Sequence, residues 1–159
     1  MDNYNLEKIV KNLVGEAIVK EIMSLKLAVK LIEAVEEKAE EMGMRVVIAV
    51  SDASGRPVAV HCMDNAYHGS FDVAVNKTYT ATAFQMATSE LAKLCQPGKE
   101  LYGLQFSNEG KVMILGGGEP LLVGDTMIGA LGVSGGTAEQ DTELAAYGKM
   151  ILKEVITCL

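Results

Sequence analysis

The chain has 159 residues, of which 49% are hydrophobic and 22% are charged, and its formal net charge is −7. This length and composition predict one globular domain with its own core. The acidic balance and the scattered basic residues argue against a nucleic-acid surface, which needs a basic patch. No stretch approaches the roughly 20 apolar residues of a membrane-spanning helix, so we expect no membrane partner.

The cysteines and the first residues point to a cytoplasmic protein. Cys62, Cys95 and Cys158 lie far apart and form no CxxC motif. An odd number of widely spaced cysteines is typical of reduced thiols. The opening sequence MDNYNLEKIV lacks the basic leader and apolar run of a secretion signal. We therefore expect a cytoplasmic location.

Two helices are predicted at the start of the chain. Residues 5–22 carry apolar side chains at helical spacing, with charged residues between them, which predicts an amphipathic helix. Its apolar face consists of Leu6, Ile9, Val10, Leu13, Val14, Ala17 and Ile18. Ser24 is a suitable N-cap for a second helix that ends near Gly43. We divide the chain into an N-terminal helix, residues 1–22, and a domain over residues 24–159.

The rest of the chain mixes strands and helices. Five strands are predicted at residues 45–51, 56–63, 111–115, 121–125 and 126–134, and three helices at 70–85, 88–95 and 138–156. Short turns between successive strands favour an antiparallel sheet. Helices must cover the apolar faces of such a sheet, so the sequence predicts an α+β domain.

The glycine-rich stretch GALGVSGGTAEQD, residues 129–141, has two interpretations. A phosphate-binding loop leading into a helix usually carries a nearby Lys, and none lies between Ser134 and Asp141. Thr137 and Gln140 instead have the spacing of a capping box, in which the helix satisfies its own first donors. We predict a turn and cap here. A neutral or carboxylate ligand on the amides of Gly135 and Gly136 remains the alternative.

Each of the two histidines is separately a candidate ligand of a metal-containing cofactor. His61 is predicted in a strand and His68 in the turn before the third helix, seven residues apart, which is not the spacing of a helical zinc pair. We predict no metal-ion site. Either histidine is chemically adequate as an axial ligand to haem, as are Cys62 and Met63. A partly exposed strand residue without a ligand is the simpler interpretation of His61.

Lys77 is the third candidate. On the predicted third helix it shares a face with Ala74, Thr78 and Ala81, small residues that leave room beside an ammonium group. Such a lysine can be solvated or can extend from an apolar surface to water. It can also receive a carboxylate, such as a haem propionate or a small organic acid.

Four segments together resemble the GlcG/HbpS-like family, the haem-binding or "haem-degrading" domain also found at the C-terminus of PduO-type cobalamin adenosyltransferases. They are VVIAVSDASGRPVAV, MDNAYHGSFDVAVNKTYTATAF, LYGL and GGGEPLLVGDTMIGALGVSGGTAEQD, and the likeness covers residues 24–157. The resemblance implies a profilin-like fold, with a five-stranded antiparallel sheet flanked by helices on both faces. It also implies a homo-oligomer and a haem or corrinoid ligand.

The resulting hypothesis is a binding domain for haem or another tetrapyrrole or corrinoid, associated with diol, ethanolamine or glycolate utilisation. The candidate cofactor-binding residues are Lys77, Ser70, His68, His61, Ser134, Gly135, Gly136 and Thr137. One alternative is an enzyme for a small organic acid, in which Lys77 orients the carboxylate and His68 acts as general base.

The other alternative is an oligomeric assembly or cargo protein of a bacterial microcompartment. Residues 1–22 contain LEKIVKNLVGEAI, which looks like the short amphipathic tags that direct cargo into these compartments. A helix with one apolar face can dock in a partner's groove, so shell or cargo proteins are candidate partners. Packing of this helix on its own domain or on a sister subunit is the competing interpretation.

Overall fold

The computed structural model describes residues 22–159, which form an α+β domain. The helices are α1 (Leu25–Glu41), α2 (Ser70–Phe84), α3 (Thr88–Leu94) and α4 (Ala138–Thr157), and the strands are β1 (Val47–Asp52), β2 (Pro57–Cys62), β3 (Gly118–Val123) and β4 (Thr126–Ser134). The strands pair antiparallel in the order β2-β1-β4-β3. Apart from Ile22, the helix predicted over residues 1–22 lies outside the described residues.

Helices α1 and α4 cover one face of the sheet and bury the main core. The Ser24 side chain caps α1 as predicted, because its hydroxyl accepts the N–H of Leu27 at 3.1 Å. Leu27, Leu31 and Val35 then fall on one side of α1 and are fully buried. They pack with alternate residues of the strands, such as Ile48 of β1. This face is a side-chain core of the kind that helical periodicity predicts.

Helix α2 covers the opposite face and lies unusually close to it. Small side chains meet there, since Val47 and Ala49 of β1 pack against Ala74 of α2. A Cβ atom on Gly132 of β4 would collide with the Ala74 carbonyl oxygen. A Cβ atom on Gly118 of β3 would stand 2.8 Å from a carbonyl oxygen of α2. Glycine at both positions therefore lets the helix backbone approach the sheet.

The sheet of residues 22–159 has four strands, one fewer than the five predicted, and the difference is the segment 111–115. Its Met113 N–H donates to the Thr80 hydroxyl of α2 at 2.8 Å. Its Val112 side chain is buried against Leu91 and Cys95. The segment is thus held by helix side chains and by a small separate core, and it contributes no strand to the sheet.

Candidate functional site

The β4–α4 turn uses its own side chains to satisfy its backbone. The Thr137 hydroxyl accepts the Gln140 N–H at 3.2 Å, and the Gln140 side chain accepts the Thr137 N–H at 2.9 Å, which forms the predicted capping box. The Gly136 N–H donates to a carboxylate oxygen of Asp141 at 2.9 Å. The first donors of α4 are therefore already bound, which leaves the turn poorly suited to holding a phosphate.

Asp141 joins this turn to Lys77 in a buried ion pair. The Lys77 ammonium donates to Asp141 at 2.8 Å and to the Val133 carbonyl at 2.6 Å, and the two charged side chains are 1% and 5% exposed. The contacts connect α2, the end of β4 and the start of α4. A Cβ atom on Gly117, whose φ is +110°, would stand 2.9 Å from the ammonium nitrogen. The pair is thus buried, with the backbone of Val133 and Gly117 close to the ammonium.

Burial and Asp141 act on Lys77 in opposite directions. Removal of the ammonium from water lowers the pKa of Lys77 below its ordinary value near 10.5, while the hydrogen bond to Asp141 and its negative charge oppose that shift. Sequence analysis predicted that a ligand carboxylate could pair with Lys77, whereas the structure shows the carboxylate of Asp141 in that position. Asp141 was missed as that partner because the two residues are 64 positions apart in the sequence.

Ser70 and His68 lie near the start of α2. Gly69 occupies the cap position, so Ser70, which is buried, is the first residue of the helix. Ala74 lies over Gly132, and Ser70 lies one helical turn before Ala74. Ser70 is therefore near the end of the sheet where β4 stops at Ser134. His68 is exposed, as are the neighbouring aromatic side chains Tyr67 and Phe71.

His61 lies apart from these residues, on the other face of the sheet. It pairs with Ile48, whose side chain belongs to the α1–α4 core, so His61 points to the α1 side. Its Nδ1 atom is 3.0 Å from a carboxylate oxygen of Glu36 on α1. The structure therefore brings Lys77 together with the β4–α4 turn, and places His61 away from both.

A cavity of about 500 Å³ lies beside the His61–Glu36 pair. It is lined by Glu36, Glu40, Arg45, Cys62, Met63, Asp64 and Asn65. Its size falls within the range of small-molecule sites, roughly 300–1,000 Å³. It combines the Met63 thioether, which can ligate iron, with one guanidinium group, which can bind a carboxylate. The Cys62 side chain points to the α2 face, because Cys62 pairs with Val47, which packs against Ala74. Sequence analysis missed Glu36, which lies in α1, and Arg45, which lies just before β1.

Residues 22–159 contain neither a cluster of metal-ligating side chains nor a membrane-spanning helix. No group of three or more His, Cys, Asp or Glu side chains in residues 22–159 is arranged to hold a metal ion. The three cysteines are free, with Cys95 buried and Cys62 and Cys158 exposed. No helix within residues 22–159 has both the length and the apolar character needed to cross a bilayer.

The fold and the pattern of motifs define a known class of domain. A family model described as "Haem degrading protein HbpS-like" matches residues 23–149. The chain belongs to this family, which confirms the resemblance drawn from the sequence.

Three relatives illustrate the range of the family. An uncharacterized 15.0 kDa protein from the dhaT-dhaS intergenic region of Citrobacter freundii is 44% identical over 77% of this chain and 87% of its own. The corrinoid adenosyltransferase PduO of Salmonella typhimurium is 40% identical over 73% of this chain, but the match spans only 34% of PduO. The crystal structure of a PduOC–haem complex superposes with a TM-score of 0.78 and 36% identity, covering 81% of this chain and 94% of the other.

Proposed function

We propose that this domain binds haem and that His61 is the axial ligand to the iron. The observation that carries the proposal is the contact between His61 Nδ1 and Glu36, at 3.0 Å. A carboxylate at one ring nitrogen orients the imidazole and leaves the lone pair of the other nitrogen, Nε2, for a metal. The solved relative that is a haem complex supports the same ligand class.

The adjoining cavity supplies further groups for a tetrapyrrole. Met63 lines it and is the candidate for a second iron ligand, since the Cys62 side chain points to the other face of the sheet. Arg45 is the one basic side chain of the lining and is suited to a propionate. Glu36 has a different role, because it acts on the iron through His61 and is a positioning residue.

His68 is the competing axial ligand. It is exposed, and the side chains of Tyr67 and Phe71 beside it are 74% and 45% exposed. An aromatic surface with an accessible imidazole suits a flat macrocycle, and a second subunit of a homo-oligomer would be needed to enclose it. His61 is preferred because a carboxylate already orients its ring.

An absorbance titration with hemin tests the proposal, with cobalamin titrated in parallel as the corrinoid candidate. We expect a saturable Soret shift at one equivalent of hemin that is lost in His61→Ala and retained in His68→Ala. Glu36→Gln should keep the folded domain and weaken hemin binding by about 10- to 100-fold, as loss of a partner of a ligating histidine does. Absence of a saturable shift in the unmodified protein would overturn haem binding. Loss in His68→Ala alone would move the site to α2.

The alternative of a small-acid enzyme gains no support from the geometry. The ammonium of Lys77 is 1% exposed and already holds Asp141, so a substrate carboxylate would have to displace a buried aspartate. His68 is exposed in the turn before α2. Ser70 and the turn residues Ser134–Thr137 are proposed here as supports of the α2 face.

We also propose a cellular context for the domain: a cytoplasmic homo-oligomer that accompanies diol, ethanolamine or glycolate utilisation in the lumen of a bacterial microcompartment. The 40% identity to PduO, a corrinoid enzyme, supports a role beside cobalamin chemistry. Residues 1–22 are the proposed docking segment for shell or cargo proteins. A fluorescent protein fused to residues 1–22 should co-purify with compartments. A fusion that stays in the soluble fraction would contradict the docking role.

A further inference from the structure

An apolar groove of about 330 Å³ lies between the β3–β4 turn and the last turns of α4. We call it the β3–α4 groove, and it is lined by Leu122, Val123, Gly124, Leu152, Lys153, Ile156 and Thr157. Leu122 is 42% exposed, so an apolar side chain of the lining faces water. Burial of such apolar surface is favourable, which makes the groove suited to an apolar segment.

The chain emerges from the core at the same end of the molecule. Met23 is buried in the main core, whereas Ile22 is 55% exposed. The Lys26 ammonium donates to the main-chain oxygen of Leu159 at 2.7 Å, so the start of α1 lies beside the end of α4. The groove is lined by Ile156, within one turn of that point. Ile22, four positions before Lys26, therefore lies at the end of the molecule where α4 stops.

The sequence of these preceding residues suits the groove. Residues 5–18 carry the predicted apolar stripe from Leu6 to Ile18, and Ile22 follows Ile18 by four positions. A step of four positions can span up to about 14 Å, which is enough to turn the segment back on α4. An amphipathic helix with its apolar side in a groove is a common mode of peptide recognition.

We propose that residues 5–18 of this chain dock with their apolar side in the β3–α4 groove of the same chain. Attachment through Ile22 holds the segment near its site at an effective concentration of about millimolar, so even weak intrinsic affinity suffices. The apolar side of the segment can cover one surface at a time. Docking in this groove therefore competes with docking on any partner protein.

Disulfide trapping in the full-length protein tests this arrangement, because Cys158 is exposed and adjoins Thr157 of the groove. The test variant is Leu13→Cys, on the apolar side of the segment, and the control is Asn12→Cys, on its polar side. Both carry Cys62→Ser, and oxidised glutathione is the oxidant. We expect the Leu13→Cys variant to form an intramolecular disulfide with Cys158 about tenfold faster than the control.

Two groove substitutions separate docking from simple proximity. Leu122→Asp should abolish the difference in rate, while Leu94→Asp, at a residue with similar exposure outside the groove, should leave it unchanged. Equal rates for the two cysteine variants, or a difference that survives Leu122→Asp, would overturn the proposal. A disulfide-linked dimer on a non-reducing gel would also overturn it, by showing that a second copy supplies the segment.

Discussion

The two faces of the sheet are covered in different ways. On the α1–α4 face, large apolar side chains such as Leu31 and Ile48 fill the space between helix and strand. On the α2 face, Gly132 lets the helix backbone approach the strand directly. The α2 helix also carries the fully buried Lys77 ammonium. Among the described residues, the α1–α4 core contains no buried lysine or arginine. The first face depends on side-chain volume, and the second on backbone proximity and one ion pair.

This difference determines how each face tolerates change. A side-chain core can relax around a lost methyl group, so the cost of a substitution depends on how well the space closes. A backbone contact has no such freedom, and a buried charge without its partner has no solvent to replace it. We therefore expect substitutions on the α2 face to destabilise the protein more than substitutions on the α1–α4 face.

Loss of the aspartate from the ion pair should give the largest effect. Asp141→Ala leaves the Lys77 ammonium buried without its anion and removes the acceptor of the Gly136 N–H. Removing one partner of a buried ion pair usually costs about 3–5 kcal/mol. Urea denaturation followed by circular dichroism should show a decrease of this size in the free energy of unfolding.

The matched control replaces both charges with apolar side chains of similar volume. Lys77→Met combined with Asp141→Leu leaves no buried charge, so it should be less destabilising than Asp141→Ala alone. If the double variant is the less stable of the two, the ion pair has a net stabilising role beyond mutual neutralisation. That result would contradict the view that the cost comes from an isolated charge.

Addition of one methyl group to the α2 face should give the next largest effect. Gly132→Ala places a Cβ atom against the Ala74 carbonyl, so helix and strand must separate. Overpacking of this kind usually costs about 1–3 kcal/mol. Gly69→Ala is the control, because that site has a φ of −66° and open space around it, and its stability should change by less than about 0.5 kcal/mol. Equal effects at the two sites would show that α2 is not closely packed.

Most of the fold could be predicted from local patterns. The periodicity of α1, the Ser24 cap and the β1–β2 pairing each depend on residues close together in the sequence, and all three are confirmed. The strand predicted at 111–115 is wrong, because apolar composition alone does not reveal a pairing partner. That segment finds its hydrogen bond at Thr80, on a helix some 30 residues earlier.

The candidate site could be predicted only in part. Lys77 attracted notice through its small neighbours, but its anion, Asp141, becomes a neighbour only when α2 and α4 pack at the same end of the sheet. The contact between His61 and Glu36 likewise joins a strand and a helix 25 residues apart. Pair contacts of this type depend on tertiary topology, which a single sequence specifies only indirectly.

Removal of one methyl group from the α1–α4 face should have a smaller effect than the α2 substitutions. Ile48→Val shortens a fully buried side chain in β1. The next residue of β1, Ala49, pairs with Gly132 of β4. Such a change usually costs about 0.5–1.5 kcal/mol, and partial relaxation of the core should keep it at the lower end. Thermal unfolding of this variant beside Gly132→Ala compares the two faces directly. A larger loss for Ile48→Val would reverse the order of sensitivity.

The pH dependence of stability should give the smallest effect, since Asp141 opposes the desolvation of Lys77. The pKa of Lys77 is lowered in the folded protein from an ordinary value near 10.5. Between the folded and unfolded pKa values the unfolded chain binds more protons, so the free energy of unfolding rises with pH, by at most about 1.4 kcal/mol per pH unit. We expect the wild type to gain stability relative to the Lys77→Met, Asp141→Leu variant as the pH is raised towards 10.5. Urea denaturation of both proteins across that range measures the difference. A relative loss would mean that attraction to Asp141 outweighs the burial of the Lys77 ammonium, so that the pKa of Lys77 is raised in the folded protein.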